Sequence, residues 1–388
     1  MDNLVQPMTI AALLVTGMGV ALLGSIKLPL ARKLEIGEAR VGGLVSAFGF
    51  TIIPMILISG FLTDHFGEQA VLVAGSALMA VSMLFLGGSR GFPSALVAIL
   101  LLGSAWSALA NAVNVFVPAA FGGSLAYATN FANFFFGLGA FLTPMGLAAL
   151  LRKREIPAVL YGLGAAVVIP GVLALMVDFS TLLSPDVLGL PPEEVSGSGT
   201  MALLSSPVLW LCSMGFFFYA PLEAAMGAWT TTYLGGRGVT EASALRWLSG
   251  FWLAFMLSRL ITAFSLSEGA EAGLILTLSV VCIVVLASVV LSSSLPTAVI
   301  TVIAAGLVFG PIFPTILALL LGEFPLEVRG RAVGLFFAIG AIGWTITPAL
   351  IGSYARRTTL QQGFIFGVAS AIGLTLVAVG LAVRFGLW

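Results

Sequence analysis

Charged side chains are scarce in this sequence. Only 8% of its 388 residues are Asp, Glu, Lys or Arg, whereas 60% are hydrophobic and the mean hydropathy is +1.14. Soluble domains are about 45–50% apolar and about 25% charged, so this composition excludes a sizeable soluble domain and places the chain in a lipid bilayer. The formal net charge is zero and the 16 cations are scattered. A nucleic-acid partner is therefore not expected, because phosphate binding needs clustered Lys and Arg.

Cysteine and histidine are nearly absent. Cys212 and Cys282 both lie inside apolar runs, where a small packing residue is a better interpretation than a disulfide or a metal ligand. His65 is the single histidine, so no metal site is predicted. The sequence also lacks a Ser-His-Asp set and a phosphate-binding glycine loop followed by Lys-Ser. We therefore expect neither an enzyme nor an ATP-driven pump, and no cofactor.

Long apolar runs fill the rest of the chain. A helix needs about 20 mostly apolar residues to cross a bilayer, and twelve such segments are bounded by charges, Gly or Pro. They fall at 8–30, 39–62, 69–88, 93–118, 123–151, 157–177, 203–234, 242–266, 270–292, 296–322, 330–354 and 362–386. The sequence thus predicts an all-α, multi-pass integral protein of a plasma or inner membrane, with twelve transmembrane helices and no partner beyond the lipid bilayer and its ligands.

A polar stretch divides these helices into two groups of six. Residues 178–202, rich in Pro, Ser, Gly and acid, predict a linker between an N-terminal bundle at 1–177 and a C-terminal bundle at 203–388. Thr-Pro occurs at 143–144 and again at 347–348, in the fifth helix of each half. Such repetition predicts two pseudo-symmetric bundles with a substrate site between repeats, as in secondary transporters. Chance similarity between Gly-rich apolar helices is the alternative.

A loop signature follows the second predicted helix. In GFLTDHFGEQA, residues 60–70, the signature positions are Gly60, Leu62, Asp64 and Gly67. This spacing resembles the loop motif of the major facilitator superfamily, which implies the major facilitator fold, secondary transport and cytoplasmic chain termini. The stretch FPLEVRGRAVGL at 324–335 is similar to the start of the superfamily's eleventh helix. We expect Asp64 to contact Arg331 or the positive helix N-terminus there, as a clamp that closes the cytoplasmic side.

Two features depart from the superfamily pattern. Glu68 and Gln69 stand where basic residues usually follow the signature, so this chain lacks the basic residues of the charge relay attributed to this loop. Loop cations also favour the other orientation, because they concentrate on the side opposite the termini, at Arg32, Lys33, Arg40, Arg90, Arg152, Lys153, Arg154, Arg237, Arg356 and Arg357. The positive-inside rule would place the termini outside. Both orientations stay open.

The seventh and eighth helices carry a narrower resemblance. Tyr219, Glu223, Gly227 and Tyr233, followed by GFWLAFMLSR at 250–259, resemble the fucose:proton symporter family and related glucose transporters. This resemblance implies transport of a hexose or related sugar, coupled to movement of a proton or a sodium ion. The positions that match the family's proton-coupling acids are Ser25 and Ser107, so coupling by that route is not expected. Asn133 matches a sugar-contacting amide, and Asn111 matches a fourth-helix asparagine.

Amide and aromatic side chains within the predicted helices form a candidate substrate site. They are Asn111 and Asn114, Asn130 and Asn133, and Trp229 and Trp252. Each asparagine pair has three-residue spacing, so both amides face one side of a helix and offer donors and acceptors to a polyol. The tryptophan rings would stack on a sugar ring. The alternatives are interhelical hydrogen bonds of about 0.6 kcal/mol each and ordinary aromatic packing.

Two charges complete the sequence-based site. Lys27 and Glu223 fall within helices, where a charge costs about 2.5–3.5 kcal/mol, so we expect them to approach each other, directly or through water, in a link that changes with transport. Snorkelling of Lys27 to the interface is the alternative for that residue. Arg259, near the end of its helix, is interpreted as an interfacial anchor.

The sequence therefore favours a monomeric secondary transporter of a small polar solute, most simply a sugar or sugar-like metabolite, with a proton or sodium ion as coupling partner. Glu223, Asp64 and Arg331 are its candidate coupling and gating residues. One alternative is a transporter of an organic anion or amphipathic metabolite with Lys27 as the counter-charge. Another is a membrane receptor or scaffold that transports nothing.

Overall fold

The structure is a computed structural model that describes residues 2–179 and 199–386. All regular elements in these two ranges are helical. Twelve segments of the described chain are long and apolar enough to cross a membrane. The prediction of an all-α membrane protein with twelve transmembrane helices is confirmed.

The first six spans follow a short 3-10 turn at Asp2–Leu4, and only the sixth is interrupted. Their helices are Val5–Leu34, Glu38–Phe66, Glu68–Gly88, Phe92–Phe121, Leu125–Leu151, and Ile156–Ala166 with Ile169–Ala174. The first helix continues beyond its apolar run because Arg32 and Lys33 occupy its last turn, where cations are favourable. It ends at Leu34, and the next residue, Glu35, has a left-handed backbone with φ 53°.

The last six spans include two more interrupted ones, the tenth and the twelfth. After a short helix at Thr200–Ser205, the helices are Pro207–Gly235, Glu241–Ser265, Glu271–Leu291, Leu295–Phe309 with Ile312–Glu323, Leu326–Ala355, and Leu360–Gly363 with Ile365–Arg384. Most of the predicted linker at 178–202 lies outside the described residues.

The described residues form two compact units. Unit 1 is drawn from Met1–Gly123, Phe135–Ser198 and Pro325–Ala338, and unit 2 from Ser124–Phe134, Gly199–Phe324 and Ile339–Trp388. The fifth span thus changes unit after Phe134, and the eleventh span changes unit after Ala338. These two positions are 204 residues apart, the same offset that separates the two Thr-Pro pairs. The division into bundles at 1–177 and 203–388 stays a prediction.

Two glycines allow the first and fifth spans to approach closely within unit 1. A Cβ at Gly17 would meet the carbonyl oxygen of Phe136, and a Cβ at Gly139 would meet that of Leu14. Lipid offers no water expulsion to drive helix association, so close backbone packing through small residues holds such spans together. Glycine at these two positions therefore has a packing role.

Candidate transport site

The tenth span is interrupted at a sequence that disrupts a regular α-helix. The first helix of this span ends at Phe309, and the second begins at Ile312. Pro314 has no N–H, so the carbonyl group of Gly310, four residues earlier, has no backbone donor within the helix. Within a bilayer every backbone polar group needs a partner. The interruption therefore creates a carbonyl acceptor that a side chain can use.

Arg259 of the eighth span donates to this acceptor. Its Nε lies 2.8 Å from the Gly310 carbonyl oxygen, and its Nη1 lies 3.0 Å from the carbonyl oxygen of Asn133. The guanidinium carbon is also 4.2 Å from the ring centroid of Phe255. Because the residue is only 2% exposed, its interpretation as an interfacial anchor is wrong. It is a buried cation whose donors bind two backbone carbonyls.

Glu223 is linked to Arg259 through Tyr219. The Tyr219 hydroxyl donates to Glu223 Oε2 at 3.0 Å. The guanidinium of Arg259 is a hydrogen-bonding neighbour of Tyr219 and an oppositely charged neighbour of Glu223. Tyr219 is fully buried, whereas Glu223 keeps part of its surface accessible. Within the described chain Glu223 and Arg259 form no direct ion pair. The tyrosine hydroxyl therefore bridges the two charges.

Aromatic rings lie beside this network. Tyr219, Glu223 and Gly227 share one face of the seventh span because they are four residues apart. A Cβ at Gly227 would meet the Trp252 ring, whose centroid is 5.4 Å from that of Phe255. The site in unit 2 thus contains a carboxylate, a cation and a partly accessible indole on two neighbouring helices.

The fourth-span asparagines are buried in unit 1. Asn111 Nδ2 donates to the Gly330 carbonyl oxygen at 2.9 Å, whereas Asn114 Nδ2 donates to the Ala110 carbonyl oxygen of its own helix at 2.7 Å. Oδ1 of Asn111 is buried and accepts no hydrogen bond from the described residues. One amide of this pair therefore connects two spans, and the other is bonded within its own span.

The fifth-span asparagines are buried in unit 2. Asn130 Nδ2 donates to the Ala126 carbonyl oxygen at 3.0 Å and to Thr315 Oγ1 at 3.2 Å. Asn133 Nδ2 donates to the Thr129 carbonyl oxygen at 2.9 Å. Asn130 Oδ1 is a buried acceptor without a partner among the described residues. A substrate role for these amides stays a prediction.

Two further candidates are half-buried. Lys27 lies on the first span in unit 1, whereas Glu223 lies in unit 2, and their approach to each other stays a prediction. Trp229 Nε1 donates to the Pro348 carbonyl oxygen at 3.3 Å. This bond connects the seventh span to the Thr-Pro site of the eleventh, so Trp229 contributes to helix contacts in unit 2.

Asp64 contacts the start of the eleventh span, as its loop signature predicts. Oδ1 accepts from the Gly330 amide at 2.7 Å, and Oδ2 accepts from the Arg331 amide at 3.1 Å and from Arg331 Nε at 2.5 Å. Both expected partners, the arginine and the helix backbone, are therefore present. Glu68, which stands in place of a basic residue, is buried and has Arg329 as an oppositely charged neighbour.

The chain belongs to the Major Facilitator Superfamily, whose family model matches residues 9–348. It is 24% identical over 376 residues to the MFS-type transporter YfkL of Bacillus subtilis, covering 95% of this chain and 93% of that protein. The predicted superfamily membership is therefore confirmed. The protein is an integral, multi-pass membrane protein of a transporter family.

Two solved structures share the fold over nearly the whole chain. FucP, the fucose:proton symporter of E. coli, in its outward conformation, has a TM-score of 0.72 at 17% identity, with 96% of this chain and 98% of that chain covered. XylE, a proton:xylose symporter bound to a glucose derivative, has a TM-score of 0.82 at 11% identity, with 99% and 95% covered. The predicted major facilitator fold is confirmed by these similarities.

Proposed function

We propose that this protein is a secondary active transporter that moves a small polar solute, a sugar or sugar-like metabolite, by alternating access. Family membership supports transport. The inference that the solute is polar rests on one observation, the Tyr219–Glu223–Arg259 network within the seventh and eighth spans. A charge inside a span costs about 2.5–3.5 kcal/mol. We propose that Glu223 is kept despite this cost because it binds the solute and the coupling ion.

Glu223 offers a hydrogen-bond acceptor to a solute. Tyr219 binds its Oε2, whereas Oε1 accepts no hydrogen bond from the described residues and the side chain keeps accessible surface. An ionised carboxylate only accepts hydrogen bonds, so a hydroxyl donor is its matching ligand. Trp252, which packs against Gly227 one turn further along the same helix face, provides an apolar surface. A sugar has both hydroxyl donors and an apolar ring face. FucP and XylE carry sugars by their names, but at 17% and 11% identity they support the fold alone.

Glu223 is also the proposed coupling residue. Ser25 and Ser107 occupy the positions where the resembled family has coupling acids, whereas Glu223 is a carboxylate next to a buried cation. A proton or a sodium ion bound at Glu223 would weaken its attraction to Arg259 and change the network that Tyr219 bridges. We further propose that Asp64 and Arg331 form a gate that stabilises one closed state.

The test is uptake into proteoliposomes that contain the purified protein. Wild type is assayed with labelled monosaccharides and organic anions, under a proton gradient, a sodium gradient or none. Glu223→Gln keeps the shape of the side chain but removes the charge. We expect gradient-driven accumulation to fall at least about tenfold, which corresponds to about 1.4 kcal/mol of lost interaction energy. Glu268→Gln removes an exposed loop carboxylate in the same unit and should behave as wild type.

Three outcomes would contradict parts of this proposal. Uptake by Glu223→Gln at the wild-type rate and with the same gradient response would remove Glu223 from the mechanism. Uptake of organic anions without any monosaccharide would replace the sugar class with the anion alternative, in which Lys27 is the counter-charge. Binding without uptake in either gradient would indicate a receptor.

A further inference from the structure

A basic cavity lies in unit 1 where the first and fifth spans end. Its volume is about 640 Å³, and it is open to the surface. The charged residues that line it are Arg32, Lys33, Arg152, Lys153, Arg154 and Glu155. The prediction of scattered cations is therefore wrong at this place, because five of them surround one concave space with a single carboxylate among them.

The position of the basic cavity corresponds to the depth of lipid headgroups. The apolar segments of the first and fifth spans end at Lys27 and Leu151, and the sixth begins at Ile156. Arg32 and Lys33 follow the first of these ends within two turns, and residues 152–155 form the whole connection between the fifth and sixth spans. Cations just outside an apolar segment lie in the polar layer of the bilayer.

Most of these cations have no compensating charge among the residues that the structure describes. Arg32, Arg152, Lys153 and Arg154 are exposed, and none of them has a side-chain hydrogen bond or an ion pair with the described residues. Glu155 forms no ion pair with them either. Lys33 differs, because its Nζ donates to the Leu86 and Ser89 carbonyl oxygens at 2.9 and 2.7 Å, and partial burial lowers its pKa.

We propose that the basic cavity binds a phosphate group held at the membrane surface, the headgroup phosphate of an anionic phospholipid. Clustered like charges repel one another, so a bound anion would stabilise this arrangement. Arginine matches phosphate because its planar guanidinium can donate two parallel hydrogen bonds. Each cation near an anionic membrane surface adds to the electrostatic attraction between the protein and that surface. Soluble phosphate shares this chemistry and is the competing source.

The chain supplies its own matched control for this proposal. Arg356 and Arg357 follow the eleventh span at the same 204-residue offset from Arg152 and Lys153. They are exposed and equally charged, but they do not line the basic cavity. Removing two charges at either place changes the net charge equally, so a difference between the two variants reports on the cavity.

The experiment compares wild type, R152Q/R154Q and R356Q/R357Q in a neutral detergent. Midpoints of thermal unfolding are measured with phosphatidylglycerol, phosphatidylcholine or inorganic phosphate, each relative to the same variant without additive, and bound lipids are counted by native mass spectrometry. We expect phosphatidylglycerol to raise the midpoint of wild type and R356Q/R357Q by about 3 °C more than phosphatidylcholine does. R152Q/R154Q should show at most half of this shift. It should also retain at most half as much bound phosphatidylglycerol as wild type.

Each result bears on the proposal. In one outcome, inorganic phosphate stabilises wild type but not R152Q/R154Q, and phosphatidylglycerol has no greater effect than phosphatidylcholine. The cavity would then bind phosphate from a soluble source, and the lipid assignment would be wrong. Equal shifts with the two lipids and none with phosphate would overturn the proposal. An equal loss of lipid preference in R356Q/R357Q would also overturn it, because the effect would then depend on net charge alone. The readouts require no transport, so they are independent of the proposed function.

Discussion

Arg259 shows how backbone atoms can hold a buried cation inside a membrane helix. A charge within a span is costly unless it is paired or hydrogen-bonded. Here two carbonyl oxygens, of Gly310 and Asn133, accept from the guanidinium, and Phe255 packs against its face. Tyr219 then links it to Glu223. The cation thus stabilises contacts of three spans and also sets the field at the candidate site.

Arg259→Lys tests this structural role. Lysine keeps the charge but is a compact ammonium, which does not reproduce the planar fork of donors that reaches both carbonyls. We expect a loss of about 1–3 kcal/mol in unfolding free energy, the cost of leaving a buried polar group without its partner. The midpoint of thermal unfolding in detergent measures it. Arg246→Lys, an exposed arginine on the same helix, should leave the midpoint unchanged, and equal midpoints for both variants would contradict the role.

The sequence identifies Glu223 but not Arg259, for a physical reason. A carboxylate in the middle of an apolar run is unusual wherever it lies, whereas an arginine near a helix end is usually at the interface. The available signal was in another span, since Pro314 leaves the Gly310 carbonyl without a donor. The partners of the asparagines also escape the sequence, because spacing places Asn130 and Asn133 on one face but does not show that their amides bond to carbonyls.

At the scale of whole helices, hydropathy predicts all twelve spans but not their ends. The eleventh helix is predicted to begin at residue 330 and begins at Leu326. Its first turns contain Glu327, Arg329 and Arg331, which end an apolar run but are compatible with helix at the membrane edge. As a result Gly330 and Arg331 lie inside the helix, where they contact Asp64 with backbone amides as well as a side chain.

Gly17→Ala tests the packing of the first and fifth spans. Its Cβ would meet the carbonyl oxygen of Phe136, so the two helices must separate and lose contacts. We expect a lower midpoint of thermal unfolding, by about 2–4 °C for each kcal/mol lost. Gly24→Ala is the matched control, because a Cβ there meets nothing within 4 Å. Alanine also favours helix, so the control should be neutral or slightly more stable, and a fall in its midpoint equal to that of Gly17→Ala would contradict the packing role.

At the scale of the whole molecule, each compact unit combines stretches of chain that are far apart in the sequence. The fifth and eleventh spans change unit at positions 204 residues apart. Apolar patterning cannot reveal this, because a transmembrane helix looks equally apolar whichever unit its ends join. The Asp64 contact is part of the association of residues 325–338 with unit 1.

Asp64→Asn tests the proposed gate. The substitution removes the charge that binds the side chain of Arg331, which we expect to weaken the closed arrangement by about 1–3 kcal/mol. Ala332, buried beside this contact, is replaced by cysteine as a reporter, and its alkylation rate by a small maleimide is measured in membranes. The rate should rise about 5- to 150-fold in Asp64→Asn.

Two comparisons make that measurement specific. Glu327→Gln removes an exposed carboxylate from the same helix and should leave the alkylation rate unchanged. Cys212 and Cys282 are buried and give the background rate of the parent chain. An unchanged rate in Asp64→Asn would mean that the contact does not control access to this segment.

The main-chain acceptors of Arg259 have a consequence for how this protein can diversify. A carbonyl oxygen is present whatever side chain its residue carries, so position 133 can exchange its amide for another group while the guanidinium keeps its anchor. The residues that cannot be exchanged are instead Arg259 itself and Pro314, which lacks the N–H that would otherwise bind the Gly310 carbonyl. Side chains around the candidate site can therefore change while the position of the guanidinium is kept, because main-chain atoms fix it.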